Sequence, residues 1–339
     1  MSDLRKCFSG KDALITGGLG FIGSNLARAL AALDARVTIV DSLIPAYGGN
    51  MFNIHGIEDR VTVNISDVRD RSSMNYLVRG RDFIFNLAGQ VSHIDSLIDP
   101  FTDLEINCRS QLSILEACRW NNPGAKLLFA GTRGQYGKTL GTPVTEEHLM
   151  RPTDVNGINK IAGEWYHILY NNIYGIRACS LRLTNTYGPR HHMRTSRQGY
   201  LNWFIRLAMD DQVIPIYGDG AQLRDFNFVG DVVQAMLMAM ASDETYGQVY
   251  NIGGGQPVSV ARTAEKVVAV CGSGRIERRE FPPEKKKIEI GDYVADFTKF
   301  REITGWTPKI TLEEGLGLTV DYYRANRERY WSRGDGSDS

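Results

Sequence analysis

The strongest constraint on this chain is a glycine-rich turn that joins a strand pattern to a helix pattern. The apolar run DALIT (12–16) predicts a buried strand, and SNLARALAAL (24–33) predicts a helix. Between them, Gly17, Gly20 and Gly23 are spaced as GxxGxxG. Glycines in such a turn permit a tight bend, the close approach of a pyrophosphate and close helix–strand packing, and the helix start offers free amide groups. The pattern therefore predicts a nucleotide-binding turn.

Asp41 supports this interpretation from the end of the second predicted strand, RVTIV (36–40). A carboxylate at this place binds both ribose hydroxyls of NAD and repels the 2′-phosphate of NADP. No arginine stands directly after it in the segment VDSLIP. The sequence therefore predicts NAD as the cofactor.

Strand and helix patterns alternate through the first half of the chain. Apolar runs predict further strands at 60–65, 82–88, 125–131 and 176–184, and helical spacing predicts helices at 103–120 and 159–173. This alternation predicts an α/β fold with a Rossmann-like doubly wound parallel sheet, covered by helices on both faces.

After about residue 185 the pattern becomes mixed, with helices predicted at 201–210 and 231–242. We expect a smaller, interwoven C-terminal α/β substrate lobe beside the nucleotide-binding domain. The expected divisions are 1–185 with about 231–255 for the NAD-binding domain, 186–230 with 256–330 for the substrate lobe, and 331–339 for a disordered tail.

Composition excludes several classes of protein. Lys plus Arg equals Asp plus Glu at 39 each, so no net field favours nucleic acid or an anionic membrane. The five cysteines are scattered without CxxC spacing, which predicts free thiols rather than disulfides or a metal site. No apolar run has the length of a signal peptide or a membrane span. We therefore expect a cytoplasmic protein that binds any phosphate-bearing ligand through a local site.

Six segments in combination resemble one known family. They are TGGLGFIGS (16–24), SDVRD (66–70), NLAGQVS (86–92), LLFAGTRGQYGK (127–138), LRLTNTYGPR (181–190) and YGDGAQLRDFNFVGDVV (217–233). Together they resemble the extended short-chain dehydrogenase/reductase family, in particular its NAD-dependent nucleotide-sugar epimerases and dehydratases, such as UDP-glucose 4-epimerase. The resemblance runs from about residue 12 to about residue 325. RQGYLNWFIRLAM (197–209) is also similar to a short segment of 2-epimerases that act on CDP-linked dideoxy sugars.

The resemblance implies a set of ligand contacts. The cofactor-binding residues that it implies are Gly17, Gly20, Phe21, Ile22, Gly23, Asp41, Asp67, Val68, Leu87, Ala88, Asn107 and Lys160. Asp67 would hold the adenine, and Asn107 would support the backbone of the active site. Asn185 and Arg224 would bind the diphosphate of a nucleotide-diphosphate sugar, where the guanidinium fork matches phosphate oxygens. The family also implies a homodimer built on the helix at 159–173.

The catalytic segment departs from the family pattern at one position. Thr132 stands at the Ser/Thr position, where its hydroxyl would bind the sugar oxygen being oxidised. Lys160 matches the Lys of the YxxxK motif and would hold the nicotinamide ribose. Four residues earlier, where the family has the Tyr that takes the hydroxyl proton, this chain has Asn156. A carboxamide cannot act as a general base, so Asn156 is expected to orient a water or the sugar.

Two further substitutions bear on the reaction. Arg133 and Gly134 stand where the family's 4,6-dehydratases carry an Asp–Glu pair, and its decarboxylases carry a Glu at the second position. Their absence favours an epimerase that oxidises a sugar carbon transiently and returns the hydride.

The proton carrier and the activity itself stay open at this point. Tyr136, His93, a water held in the site and a group of the substrate are the candidates for the proton carrier. The alternatives to an epimerase are a catalytically silent NAD/nucleotide-sugar-binding protein, and a nucleotide-sugar dehydratase or reductase with a non-Tyr base. His191 and His192 lack a carboxylate at ligand spacing, so no metal site is predicted.

Overall fold

The computed structural model describes residues 2–332. The strands are β1 Asp12–Thr16, β2 Arg36–Asp41, β3 Val61–Ile65, β4 Phe83–Asn86, β5 Lys126–Thr132, β6 Arg177–Leu183, β7 Asn185–Tyr187, β8 Val213–Tyr217, β9 Leu223–Arg224, β10 Phe226–Phe228, β11 Val249–Ile252, β12 Val258–Ser259 and β13 Arg275–Arg279. The helices are α1 Ser2–Phe8, α2 Phe21–Ala32, α3 Arg71–Leu77, α4 His93–Ile98, α5 Pro100–Leu104, α6 Ser110–Asn121, α7 Val155–Tyr174, α8 Tyr200–Met209, α9 Val229–Ala241, α10 Val260–Cys271, α11 Pro283–Ile288, α12 Thr298–Thr304 and α13 Leu312–Asn326. None of these helices is long and apolar enough to cross a membrane.

Seven strands form one parallel sheet in the order β11-β6-β5-β4-β1-β2-β3. The inner strand β1, which lies between β4 and β2, is buried along nearly all its length, which explains its uninterrupted apolar sequence. One face of the sheet packs against α1, α2 and α9, and the other against α3, α6 and α7. The predicted Rossmann-like α/β class is therefore confirmed.

Two predicted elements differ from the structure for local reasons. The strand predicted at 82–88 ends at Asn86, because the amides of Leu87 and Ala88 donate to Thr16 Oγ1 at 3.0 and 3.1 Å instead of to a neighbouring strand. The helix predicted at 103–120 is interrupted by a π-helical turn, Glu105–Arg109, between α5 and α6. Such wide turns are frequent at functional sites.

Helix α7 carries two of the candidate catalytic residues and has clear ends. Asp154 caps its start, where the carboxylate Oδ1 accepts from the Gly157 amide at 2.8 Å. Gly175, at φ 70°, ends it in a left-handed turn. A buried ion pair, in which Arg182 Nη2 lies 2.5 Å from Glu164 Oε1, ties the helix to β6. The helix is therefore held at both ends and in its middle.

The second lobe is smaller and has its own core. Helices α8, α10 and α13 form this core with strand β8, and the exposed strand β13 pairs with β8 in parallel. Helix α9 and strand β11 return to the large sheet. Trp331, at the start of the predicted disordered tail, is 1% exposed in the core of this lobe, and its Nε1 donates to Asp210 Oδ2 at 3.1 Å. Residues 333–339 of that tail lie outside the described residues.

Candidate active site

A cavity of about 580 Å³ lies between the two lobes, at the carboxyl ends of the parallel strands, where ligands of open α/β sheets bind. The predicted site residues that line it are Gly17, Gly20, Phe21, Ile22, Gly23, Asp41, Asp67, Val68, Leu87, Ala88, Thr132, Asn156, Lys160, Asn185 and Arg224. Asn107 does not line it. The topology thus brings together residues that are far apart in the sequence.

The glycine turn forms a cradle for a dinucleotide. Gly17 has φ +69°, and a side chain there would place its Cβ 3.0 Å from the Ala88 Cα atom. A Cβ on Gly23 would lie 2.2 Å from the Gly17 carbonyl oxygen, so only glycine permits this packing. Helix α2 begins after Gly20 without a side-chain cap, which leaves its first amide groups for a phosphate.

Two carboxylates stand at the β2–β3 side of the cavity. Asp41 Oδ2 accepts from the Leu19 amide at 3.0 Å, and its Oδ1 accepts from the Leu43 amide at 2.8 Å. Burial raises the pKa of Asp41 above its ordinary value, although these amides oppose the shift. Asp67 is held by Arg69, whose Nη2 lies 2.7 Å from Asp67 Oδ2, and this hydrogen bond lowers the pKa of Asp67. The two amides thus hold Asp41 in one orientation at the cavity wall. The cradle, the uncapped helix and this carboxylate together fit NAD.

Thr132 and Lys160 stand on the opposite wall. The Thr132 hydroxyl oxygen accepts from the Gly134 amide at 3.2 Å, and the Thr132 amide donates to Gln135 Oε1 at 2.7 Å. Lys160 is 5% exposed, and its Nζ donates to the Ala130 carbonyl oxygen at 3.1 Å. Burial lowers the pKa of Lys160 to about 8, partly offset by the charge of Asp103. The site therefore offers an anchored hydroxyl and a cation that titrates near neutral pH.

Asn156 is tied into the wall rather than projecting freely into the cavity. Its Nδ2 donates to the Gln90 carbonyl oxygen at 2.7 Å and to Asp103 Oδ2 at 3.1 Å. Its carbonyl oxygen accepts no hydrogen bond from residues 2–332 and is therefore open to a ligand or a water. The amide of Asn156 thus ties together Gln90 and Asp103 in the cavity wall. That Asn156 orients a water or the sugar stays a prediction.

Asn107 differs from its predicted place among the cofactor contacts. It lies on the π-helical turn, is fully buried, and donates from Nδ2 to the Gln90 carbonyl oxygen at 2.9 Å. It therefore supports the loop after β4 from behind the wall. A Cβ on Gly89 would lie 2.9 Å from Asn107 Oδ1 and 3.0 Å from Lys160 Nζ, so glycine is needed where these groups meet.

Of the sequence candidates for the proton carrier, Tyr136 does not reach the cavity. Its ring is fully buried, its hydroxyl donates to Asn251 Oδ1 at 2.7 Å, and the hydroxyl oxygen accepts from Arg182 Nη1 at 2.6 Å. Burial raises the pKa of Tyr136 to about 12. This phenol is part of the core and is not a base at neutral pH.

His93, in contrast, lines the cavity and has a partner that the sequence did not suggest. Its Nδ1 lies 2.7 Å from Asp154 Oδ2. Burial opposes ionisation of Asp154, but the hydrogen bond and charge of His93 outweigh it and hold the pKa of this carboxyl below its ordinary value. Sequence reasoning missed the pair because the two residues are 61 positions apart.

The second lobe contributes cations and unpaired polar groups. Arg224 is paired with Glu289, with Nη2 and Oε1 2.5 Å apart, and Asn185 Nδ2 donates to the Asp225 carbonyl oxygen at 3.1 Å. Arg133, which the sequence singled out only as a substitution, lines the same space, and no carboxylate among residues 2–332 forms an ion pair with it. Burial and the charge of Arg224 lower the pKa of Arg133.

Three polar atoms at this end of the cavity have no hydrogen-bond partner within residues 2–332. They are Tyr200 Oη, Asn202 Oδ1 and Gln222 Oε1. Buried polar atoms are normally paired, so these three atoms are available for hydrogen bonds to a polar ligand in this half of the cavity. A half-buried guanidinium group on Arg133 and a buried one on Arg224, with the single carboxylate of Glu289, suit an anionic ligand.

Known proteins match this chain over most of its length. Residues 13–253 match the NAD dependent epimerase/dehydratase family. A putative UDP-glucose 4-epimerase of Methanocaldococcus jannaschii is 33% identical over 92% of this chain and 98% of its own. A dTDP-glucose 4,6-dehydratase of Xanthomonas campestris pv. campestris is 29% identical over 96% of each chain. The structure of a UDP-glucose 4-epimerase of Thermus thermophilus complexed with NAD superposes with a TM-score of 0.82, at 30% identity, over 92% of this chain and 99% of that one.

The chain therefore belongs to the NAD-dependent epimerase/dehydratase family of the extended short-chain dehydrogenase/reductases, as the six sequence segments predicted. NAD is its cofactor, which confirms the prediction from the glycine turn and Asp41. Its relatives include both epimerases and dehydratases of nucleotide sugars.

Proposed function

We propose that this protein is an NAD-dependent nucleotide-diphosphate-sugar epimerase, which acts by transient oxidation of a sugar carbon and return of the hydride. One observation carries the proposal: a single cavity joins the dinucleotide cradle to Thr132 and Lys160 of the sheet lobe and to Arg224 of the second lobe. A sugar diphosphate that is bound by the arginines would extend its sugar toward Thr132.

Each polar residue of the cavity wall would have its own role in such a reaction. NAD, when bound, supplies the hydride acceptor and donor. Thr132 holds the reacting sugar oxygen through its anchored hydroxyl, and Lys160 holds the nicotinamide ribose. Arg224 and Arg133 neutralise the diphosphate, because guanidinium groups match phosphate oxygens.

The carboxylates of the cavity favour epimerisation over dehydration. Eliminating water requires an acid for the leaving hydroxyl in addition to the group that takes the proton of the oxidised hydroxyl, and in this family's dehydratases the resemblance implies carboxylates for that task. The carboxylates among the lining residues are Asp41, Asp67, Asp154 and Glu289. Each is already held by a partner, and no carboxylate follows Thr132 in the chain at the next two positions.

We further propose that the protein is a cytoplasmic homodimer. One face of α7 exposes Trp165, Leu169 and Ile173, which are 51%, 50% and 64% exposed, and α5 adds Phe101 at 76%. Contiguous exposed apolar residues of this kind mark an interaction surface. The five free thiols suit a reducing compartment.

The test combines cofactor identification with a substrate panel. Denatured protein is assayed for released NAD, and UDP-, GDP-, CDP- and dTDP-sugars are incubated with the native protein and followed by NMR. Inversion at one sugar carbon, without loss of water, is expected. Formation of a 4-keto-6-deoxy sugar would show a dehydratase instead. Bound NAD with no conversion across the panel would show a catalytically silent binding protein.

A further inference from the structure

The pair His93–Asp154 joins the starts of two helices at the cavity wall. His93 is the first residue of α4, and Asp154 caps α7, the helix that carries Asn156 and Lys160. Asp154 divides its oxygens: Oδ1 accepts from the Gly157 amide at 2.8 Å, and Oδ2 lies 2.7 Å from His93 Nδ1. The Asp154 side chain is 3% exposed, and that of His93 is 36% exposed. A buried carboxylate therefore orients a partly open imidazole.

The orientation leaves the other ring nitrogen for a ligand. Because His93 Nδ1 faces Asp154, the neutral ring carries its proton on Nδ1, and Nε2 is unprotonated. Nε2 has no hydrogen-bond partner within residues 2–332. An unprotonated Nε2 on the wall of a cavity is a general base, and the adjacent carboxylate stabilises the imidazolium that forms when it takes a proton.

The imidazole lies close to the hydroxyl that would hold the reacting oxygen. A Cβ on Gly134 would lie 3.1 Å from His93 Cε1 and 3.7 Å from Thr132 Oγ1. The ring and the hydroxyl thus flank the same glycine. His93 and Thr132 therefore belong to the same part of the cavity wall.

The other candidates for the proton carrier already form hydrogen bonds with other residues. The amide of Asn156 donates to Gln90 and Asp103, and a carboxamide takes up no proton. The Tyr136 phenol is buried in the core. Lys160 donates to the Ala130 carbonyl oxygen and remains the competing base that an experiment must exclude.

We propose that His93, positioned by Asp154, is the proton carrier that replaces the missing tyrosine. As a substrate hydroxyl becomes a carbonyl, its carbon loses a hydride to NAD and its oxygen loses a proton to His93 Nε2. The reverse step returns both, so that atoms and charge balance over the cycle. This assignment rests on the proposed epimerase function and names the base that the function requires.

The kinetic test uses a surface pair as its matched control. His55 and Glu58 form a second His–carboxylate pair at 3.0 Å, but it is exposed and lies outside the cavity. His93→Gln should lower kcat by about 10²–10⁴-fold with little change in KM, whereas His55→Gln should leave both unchanged. Added imidazole should restore part of the turnover of His93→Gly. Asp154→Asn keeps a good helix cap and should lower kcat with KM retained.

A second readout does not depend on turnover. NMR of imidazole-labelled, NAD-loaded protein should show the His93 ring protonated on Nδ1, and UDP-glucose should shift its Nε2 signal. In Asp154→Asn the preference for that tautomer should weaken. A neutral ring protonated on Nε2 would overturn the assignment.

The outcomes separate this assignment from the proposed function. If the wild-type protein converts a sugar nucleotide and His93→Gln does so at an equal rate, His93 is not the base and the function stands. Retention of turnover in His93→Gln, together with loss of kcat in Lys160→Met at saturating NAD, would assign the role to Lys160. Absence of turnover in the wild-type protein across the whole panel would overturn the function and, with it, the role of His93.

Discussion

Asn156 Nδ2 lies 3.1 Å from Asp103 Oδ2 and donates a second hydrogen bond to the Gln90 carbonyl oxygen at 2.7 Å. Asp103 is 1% exposed, and its Oδ1 accepts from Asn159 Nδ2 at 2.8 Å. Asn156 is therefore a double donor that ties α7 to α5 and to the loop after β4. A phenol has a single donor and cannot make both bonds. Compared with the tyrosine that the family resemblance implies at this position, Asn156 thus provides an additional structural connection at the site.

Removing this donor should destabilise the fold. Asn156→Leu keeps the branched shape but removes the donor to the buried Asp103 Oδ2 and one of the two donors to the Gln90 carbonyl oxygen, which should lower the free energy of unfolding by about 1–3 kcal/mol. Urea titration measures the loss. Asn75→Leu, on the exposed surface of α3, is the control and should change stability by less than about 0.5 kcal/mol. Equal stability of wild type and Asn156→Leu would show that the two bonds contribute nothing net.

Replacing Asn156 by the tyrosine that the family resemblance implies should not increase turnover. Asn156→Tyr removes the double donor and places a larger side chain at the cavity wall, so we expect lower turnover than in the wild-type protein. Steady-state kinetics on the sugar nucleotide that the wild type converts measures the change, and circular dichroism confirms that the variant folds. A rise in turnover would identify position 156 as a lost base.

Lys160 should set an alkaline limit on ligand binding. Burial lowers the pKa of Lys160 to about 8 from 10.5, so its charge is lost as the pH rises through about 8. NAD affinity, followed by calorimetry, should therefore fall above that pH. Lys160→Arg keeps its charge and should remove this dependence, if the longer side chain still reaches the ribose. A pH-independent affinity in the wild type would contradict the assignment.

The lowered pKa of Lys160 should change protein stability and NAD affinity in opposite directions as the pH rises. Between about pH 8 and pH 10.5 the unfolded chain holds a proton on Lys160 that the native state has released. The contribution of Lys160 to the free energy of unfolding therefore rises with pH between about pH 8 and pH 10.5. Ligand binding and stability should consequently diverge above pH 8, which distinguishes the loss of a binding charge from general alkaline unfolding.

Local patterns predicted the parts of the site that lie within one strand–turn–helix unit. Gly17, Gly23 and Asp41 could be recognised because glycine spacing in a turn and the end of an apolar strand are both visible in a short stretch of sequence. The family resemblance added Thr132, Lys160 and Arg224, and the structure places all three at the same cavity.

Contacts between segments that are far apart along the chain could not be predicted from the sequence. The pair His93–Asp154 depends on how the starts of α4 and α7 meet, and the link from Asn107 to Gln90 depends on the π-helical turn. Neither has a periodic signature, because each is set by tertiary packing. In the sequence His93 is an isolated histidine, and the structure shows that its partner is Asp154.

Asp41 should control the choice between NAD and NADP. Asp41→Asn removes the negative charge that repels a 2′-phosphate and should raise the ratio of NADP affinity to NAD affinity on the order of tenfold, equivalent to about 1.4 kcal/mol. Fluorescence titration with both cofactors measures the ratio. Asp59→Asn, an exposed charge loss, is the control. An unchanged ratio would show that the selectivity lies elsewhere.

The apolar face of α7 should hold the proposed dimer together. Trp165 and Leu169 are exposed one turn apart on this helix, and a stable interface of standard size needs roughly 800 Å² from each partner, centred on such groups. Trp165→Glu and Leu169→Glu place a charge there and should shift the protein to monomers in sedimentation velocity at micromolar concentration. Leu140→Glu, at a loop position that is 81% exposed, is the matched control and should stay dimeric. A monomeric wild-type protein would contradict the dimer, and dimers that survive both α7 substitutions would place the interface on another surface.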